Sequence, residues 1–260
     1  MNRMMTAPQR ALSDRTFVLA TDLDGTFLGG TEADRHMLYR WIEENRRTIG
    51  LVFVTGRDPA FIAELTAGEV PTPDYVVGDV GTTIAQVGED GRIAPIAALE
   101  AEIATAWGRA GDRVRAALDG WPGLTLQPTE FRHRVSYDLD PEALAPGAEE
   151  RVQAMGLDVL ISDNRYFDVL PRGVSKGPSL RRLITWLGID EHRVLAAGDT
   201  LNDLSMLISG LPAVAVGGSE AALIQQILGR DTVYRAEAVG AGGIIEAISA
   251  LNLHPTPKGA

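Results

Sequence analysis

The sequence predicts an α/β protein, a doubly wound parallel sheet with an inserted α+β unit. Two observations predict the sheet. Short, almost continuous apolar runs alternate with amphipathic stretches, the pattern of strands covered by helices on both faces. Polar clusters directly follow these runs, where open α/β sheets bind ligands beyond the carboxyl ends of their strands. A third observation predicts the insert: between the third and fourth runs, the pattern changes to helices mixed with alternating strands.

The runs at residues 17–23, 51–55, 75–78, 194–197 and 213–216 read as core strands. Helical spacing covers 32–47, 59–67, 179–187, 203–208 and 220–228, and a closing helix covers 242–251. Within the middle block, residues 99–118 and 141–155 read as helices. Residues 124–127, 134–139, 158–161 and 166–170 read as strands. This pattern divides the chain into a core, residues 1–97 and 171–260, and an insert, residues 98–170.

With 260 residues, 45% of them hydrophobic, the chain is long enough to bury a full core. The absence of cysteine excludes disulfides, thiolate catalysis and cysteine-based zinc sites, and points to the cytoplasm. A net charge of −11 leaves no basic stripe for nucleic acid. No stretch reaches the roughly 18 apolar residues of a membrane span. Residues 1–15 lack the apolar run of a secretory signal and read as a loose tail. Of 24 basic residues only Lys176 and Lys258 are lysine, so the interior of the sequence holds one compact ammonium among arginine forks.

Four clusters carry the chemistry. Asp22 and Asp24 follow the first strand in Thr21-Asp-Leu-Asp-Gly-Thr26; two residues apart on extended chain, they present paired carboxylates. Thr55-Gly56 follows the second strand and offers a hydroxyl and a backbone N–H to a phosphate oxygen. Gly198-Asp-Thr-Leu-Asn-Asp203 follows a later strand, and its carboxylates at 199 and 203 suit a hard cation such as magnesium. Lys176 opens a helix, where its charge opposes the helix dipole. Singly, each cluster also fits an ordinary turn, a helix cap or a surface lysine. Together they place acidic loops, a hydroxyl and an ammonium at one edge of one sheet.

The four clusters resemble the haloacid dehalogenase superfamily, whose phosphatases carry DxDGT, a Ser/Thr motif, a lysine and GDxxND. The resemblance implies a phosphatase with Asp22 as nucleophile and Asp24 as general acid and base. It implies Mg2+ held by Asp22, the Asp24 carbonyl and Asp199, with Asp203 and Asn202 in support. Thr55, Gly56, Lys176 and Asn202 would then bind phosphate oxygens. The position of the insert resembles the cap of the Cof-like branch. Arg134-Val-Ser-Tyr-Asp-Leu-Asp-Pro141, Phe167-Asp-Val-Leu-Pro171 and Tyr234-Arg-Ala236 resemble the sucrose-phosphatase group. That group implies a phosphorylated sugar or glycoside as substrate: sucrose 6-phosphate, glucosylglycerol phosphate or mannosylfructose phosphate. Arg57, Arg134, Tyr137 and Asp138 are the expected sugar contacts, and a glycosyl-phosphate synthase is the expected functional partner. A phosphosugar mutase, or a non-catalytic module once joined to a glycosyltransferase, is the alternative.

Overall fold

The computed structural model describes residues 12–257, so the first eleven residues of the expected tail and Lys258 lie outside it. The chain begins with β1 (Phe17–Thr21), β2 (Ile49–Val54), β3 (Tyr75–Gly78), β4 (Thr83–Val87) and β5 (Ile93–Pro95). The middle block adds β6 (Leu124–Leu126), β7 (Val135–Leu139), β8 (Leu157–Ser162) and β9 (Tyr166–Pro171). The last part supplies β10 (Val194–Gly198), β11 (Ala213–Gly217) and β12 (Val233–Val239), and α2 (Pro59–Thr66), α7 (Leu204–Leu207) and α8 (Ala221–Ile227) are among the helices that connect the strands of the core.

These strands build two sheets. The eight-stranded sheet has the order β12-β11-β10-β1-β2-β3-β4-β5, parallel from β12 to β3 and antiparallel beyond it. The four-stranded sheet, β6-β7-β9-β8, is antiparallel throughout. Successive residues of β1 feed opposite cores, as the period of two demands. Val18 and Ala20 enter the cluster under α6 (Lys176–Leu187), whereas Phe17 and Leu19 enter the one under α1 (Glu32–Glu44) and α9 (Ala241–Ala250). Burial on both faces explains the continuous apolar runs that made β1, β2 and β10 legible.

Three strands escaped the reading. β12 alternates buried and open positions at the sheet's edge, so Arg235 and Glu237 interrupt its apolar run. β4 and β5 are the short antiparallel extension: Thr83 and Gln86 interrupt the apolar run of β4, and β5 is only three residues long. The helix expected over 99–118 is two: α3 (Ala97–Trp107) and α4 (Ala110–Ala117). Gly108, at φ +54, breaks the run between them. The helix expected over 141–155 shrinks to α5 (Ala148–Gln153), because Gly147 enters it at φ +98. α3 spans both bodies, with Leu99 and Ile103 packed in the large core and Trp107 in the small one. Among the described residues, no helix is long and apolar enough to cross a membrane.

Candidate active site

β1 pairs with β2 on one side and with β10 on the other, so the chain order reverses between β1 and β10. This is the switch point at which doubly wound sheets form a ligand crevice. Asp22 and Asp199 follow these two strands. The Asp22 N–H donates to the Ala197 carbonyl at 2.9 Å, which extends the ladder to the site itself. The turn after Asp22 passes so close to Asp199 that a Cβ on Gly25 would stand 2.1 Å from Asp199 Oδ2. Gly25 also sits at φ +78, and only glycine meets both demands. Thr26 completes the joint by donating its hydroxyl to Asp199 Oδ1 at 2.6 Å.

Lys176, fully buried at the first position of α6, gathers the acidic groups. Its ammonium donates to Asp22 Oδ1, Asn202 Oδ1 and Asp203 Oδ1, each at 2.7 Å, which uses all three of its hydrogens. These partners resolve the conflict with the helix dipole. The other Asp203 oxygen accepts the backbone N–H groups of Asp199 and Thr200, both at 3.0 Å, and so holds the loop that aims Asp199.

The electrostatics show what the cluster lacks. Burial pushes the Asp22 carboxyl up, against the pull of Lys176. Burial, with the charge of Asp203 beside it, raises Asp199 to about 7. Burial alone would lower the Lys176 ammonium, but the charges of Asp203 and Asp22 outweigh it and hold it above its ordinary value. One ammonium therefore faces three carboxylates, a deficit of positive charge in a dry site. Oxygens of Asp22, Asp199 and Asp203 lie within 4.8 Å of one another. A hard divalent cation with oxygen ligands fits both the donors and the deficit.

A cleft of about 530 Å³ lies above this cluster, between the two bodies. Asp24 stands at its mouth, half-exposed, and Arg57 grips both its oxygens at 2.8 and 3.0 Å. Arg57 is thus committed to Asp24 rather than free for a ligand. Gly56 lines the cleft, while Thr55 is fully buried beneath it. A larger groove, about 610 Å³, runs along the opposite edge of the sheet, but there Arg15 is paired with Asp74 and the strand-end carboxylates are absent.

The face of the small sheet corrects part of the sequence reading. On β7 the side chains of Val135, Tyr137 and Leu139 enter the core under α4 and α5. Arg134, Ser136 and Asp138 therefore share the other face. Tyr137, expected at the sugar, stands edge-on to Phe167 inside the cap, because it lies an odd number of residues from Arg134. Asp138 has the right parity but sits at the far end of the strand, where Gln127 donates to it at 2.9 Å. Arg134 lines the cleft. The expectation missed Asp163, Tyr166 and Asp168, which line the same wall. For Tyr166 and Asp168, alternation along the strand was the available signal, since Phe167 and Val169 face the core and these two face the cleft.

A family model described as sucrose-6F-phosphate phosphohydrolase matches residues 15–252. The chain is similar to the glucosylglycerol-phosphate synthase of Pseudomonas anguilliseptica, with 42% identity over 88% of this chain and 30% of that protein. It is also similar to the probable sucrose-phosphatase 3b of Arabidopsis thaliana, with 33% identity over 95% of this chain and 62% of that one. The chain thus spans less than two thirds of either relative. Among solved structures, the sucrose-phosphatase of Synechocystis sp. PCC6803, in complex with sucrose and phosphate, superposes with a TM-score of 0.82. There the identity is 26%, over 92% of this chain and 98% of that one.

Proposed function

The chain belongs to the sucrose-6F-phosphate phosphohydrolase family, a sucrose-phosphatase-like group of haloacid dehalogenase enzymes, and from that premise we propose that it is a Mg2+-dependent phosphatase of a phosphorylated sugar or glycoside. One observation carries the reading: Lys176 ties Asp22 to Asp203 beside Asp199, at the β1/β10 switch point, with a deficit of positive charge beneath a cleft. A dry, preorganised site of this kind suits phosphoryl transfer, which asks mainly for positioning and charge stabilisation.

Asp22 attacks phosphorus in line; its oxygen bonds to phosphorus as the ester oxygen leaves, giving an aspartyl-phosphate. Asp24 turns from Arg57 to give that leaving oxygen a proton, then takes one from the water that hydrolyses the acyl phosphate. Lys176 keeps Asp22 oriented and shares its hydrogens with a phosphate oxygen, while Thr55, the Gly56 backbone and the Asn202 amide supply further donors. Asp22, Asp199 and Asp203, with the Asp24 carbonyl implied by the family resemblance, are the groups that would hold Mg2+. The ion supplies positive charge that offsets repulsion between Asp22 and the dianionic ester.

The insert, residues 98–170, acts as a cap that excludes bulk water and contacts the sugar through the wall around Asp163 and Tyr166, which faces Arg57 of the core across the cleft. Sucrose 6-phosphate, glucosylglycerol phosphate and mannosylfructose phosphate are the candidate substrates. Similarity to a segment of a glycosyl-phosphate synthase supports a working partnership with such an enzyme, in the cytoplasm. The test is release of inorganic phosphate from these three esters with and without Mg2+. Free phosphate, not an isomerised sugar phosphate, is the expected product; no release from any of the three would refute the proposal.

A further inference from the structure

We infer that Arg134, a residue of the cap, positions the hydroxyl of Thr55 in the core, so that the phosphate-binding loop is complete only while the cap is docked. The inference rests on the phosphate-binding role proposed for Thr55.

Arg134 is only 6% exposed although it spans the boundary between the two bodies. Its guanidinium donates to the Gly56 carbonyl of the core at 3.1 Å. It also stands 3.5 Å from Asp168 on the cap and 3.9 Å from Asp79 on the core. The Phe131 ring lies 3.6 Å from it. Ser136 donates its hydroxyl to Asp168, which fixes the carboxylate that orients the guanidinium.

The Gly56 carbonyl and the Arg57 N–H are two ends of one planar peptide unit, so fixing one fixes the other. That N–H donates to Thr55 Oγ1 at 3.1 Å. The Thr55 oxygen is thereby occupied as an acceptor, and among the described residues its own hydrogen meets no acceptor. A phosphate oxygen accepts and never donates when ionised, so this is the polarity the hydroxyl needs. Without the guanidinium the Gly56 carbonyl loses its partner, and the peptide after it can turn about Gly56, which has no Cβ to restrain it, while the Arg57 carbonyl stays held by the Asp79 N–H at 3.0 Å.

The rest of Thr55 is already held. Its N–H donates to Val77 and its carbonyl accepts from Val80, at 2.9 and 3.1 Å. Asp79 and Val80 keep positive φ values of 52° and 58°, the second unusual for a β-branched residue and stable only where the surroundings enforce it. Asp79, with Thr83 donating to one of its oxygens, belongs to those surroundings. Only the peptide that aims the Thr55 hydroxyl depends on the cap.

The competing role, direct contact of Arg134 with the sugar, makes a different prediction. The test uses the full chain with Mg2+ on sucrose 6-phosphate and on p-nitrophenyl phosphate, which has no sugar. Arg134→Gln is expected to lower kcat about 100-fold on both esters, as expected for a misaligned catalytic group, with KM for the sugar ester little changed. Thr55→Ala should lose a comparable factor, as for removal of one charge-stabilising donor. The double variant should be no worse than the poorer single one, since both act through one hydroxyl. Arg134→Lys, which keeps the charge but has a single nitrogen to reach Gly56, should recover part of the loss. Loss confined to the sugar ester, a change mainly in KM, or multiplicative losses in the double variant would overturn the inference. Melting temperatures establish that the variants fold, and if Arg134→Gln does not, Arg134→Lys in the same cycle with Thr55→Ala decides. A wild type inert on both esters would instead bring down the proposed function, and this inference with it.

Discussion

The strand-end cluster of the core and the wall of the cap are built on opposite terms. In the core, Lys176 and Asp203 have no exposed surface, and every hydrogen of the ammonium has a named acceptor. In the cap, the proposed recognition falls to one face of a sheet, where a shift of a single residue moves a side chain from the cleft to the core. Buried charge has one workable arrangement, so its residue types reveal it. A binding face can be written in many ways, and only its register says which residues belong to it.

The largest effect should come from breaking the core. Asp22→Asn is expected to cut Mg2+-dependent phosphate release by at least about 10⁴-fold, as for loss of a nucleophile, with circular dichroism unchanged. Lys176→Ala should abolish activity and cost about 3–5 kcal/mol in denaturant unfolding, because it leaves a buried cluster of carboxylates without their ammonium. Lys176→Arg should not rescue it. Forcing the larger head into a site with no free surface costs about 1–3 kcal/mol and breaks the three-way geometry. Rescue by arginine would mean that charge alone, not the compact ammonium, is what the core requires.

A subtler effect concerns pH. The folded protein raises Asp199 from 3.8 to about 7 in the absence of metal. Its neutral form is thus favoured by folding, and the stability tied to this group is fully present below 3.8 and lost as pH rises through about 7. Mg2+ needs the ionised forms of Asp199 and of Asp22, which burial also pushes up, so binding should release protons and strengthen by up to about tenfold per pH unit for each of them below that value, measured by calorimetry. Affinity independent of pH between 5.5 and 8 would place Asp199 outside the metal site (those limits are about 1 unit or more either side of its value).

The smallest effect sharpens the cap side of the contrast. The Tyr137 hydroxyl is buried without a partner. Tyr137→Phe should hold or raise stability by about 1 kcal/mol, the relief of an unmet polar group, and leave turnover unchanged. A fall in kcat/KM for the sugar ester would return Tyr137 to the substrate.

The same contrast explains what the sequence let through. β1, β2 and β10 were legible because both of their faces are buried, and Asp22, Asp199 and Lys176 because acidic strand ends and a single internal lysine stand out in composition. β12 was not, since an edge strand carries Arg235 and Glu237. Nothing in the local sequence says that Arg57 grips Asp24, or that Arg134 reaches back to Gly56; both pairings span long stretches of chain, and the second exists only while the cap is docked. The mistaken placement of Tyr137 was avoidable, because counting along β7 from Arg134 puts it on the opposite face.

The most direct measurement is to mix the protein with Mg2+ and substrate, quench in acid within the first turnover, and map the trapped phosphoryl group by peptide mass spectrometry. The account predicts one phosphoryl group on the peptide that contains Asp22, absent from Asp22→Asn. A phosphoryl group on any other residue, or steady turnover with none trapped at any quench time, would contradict it.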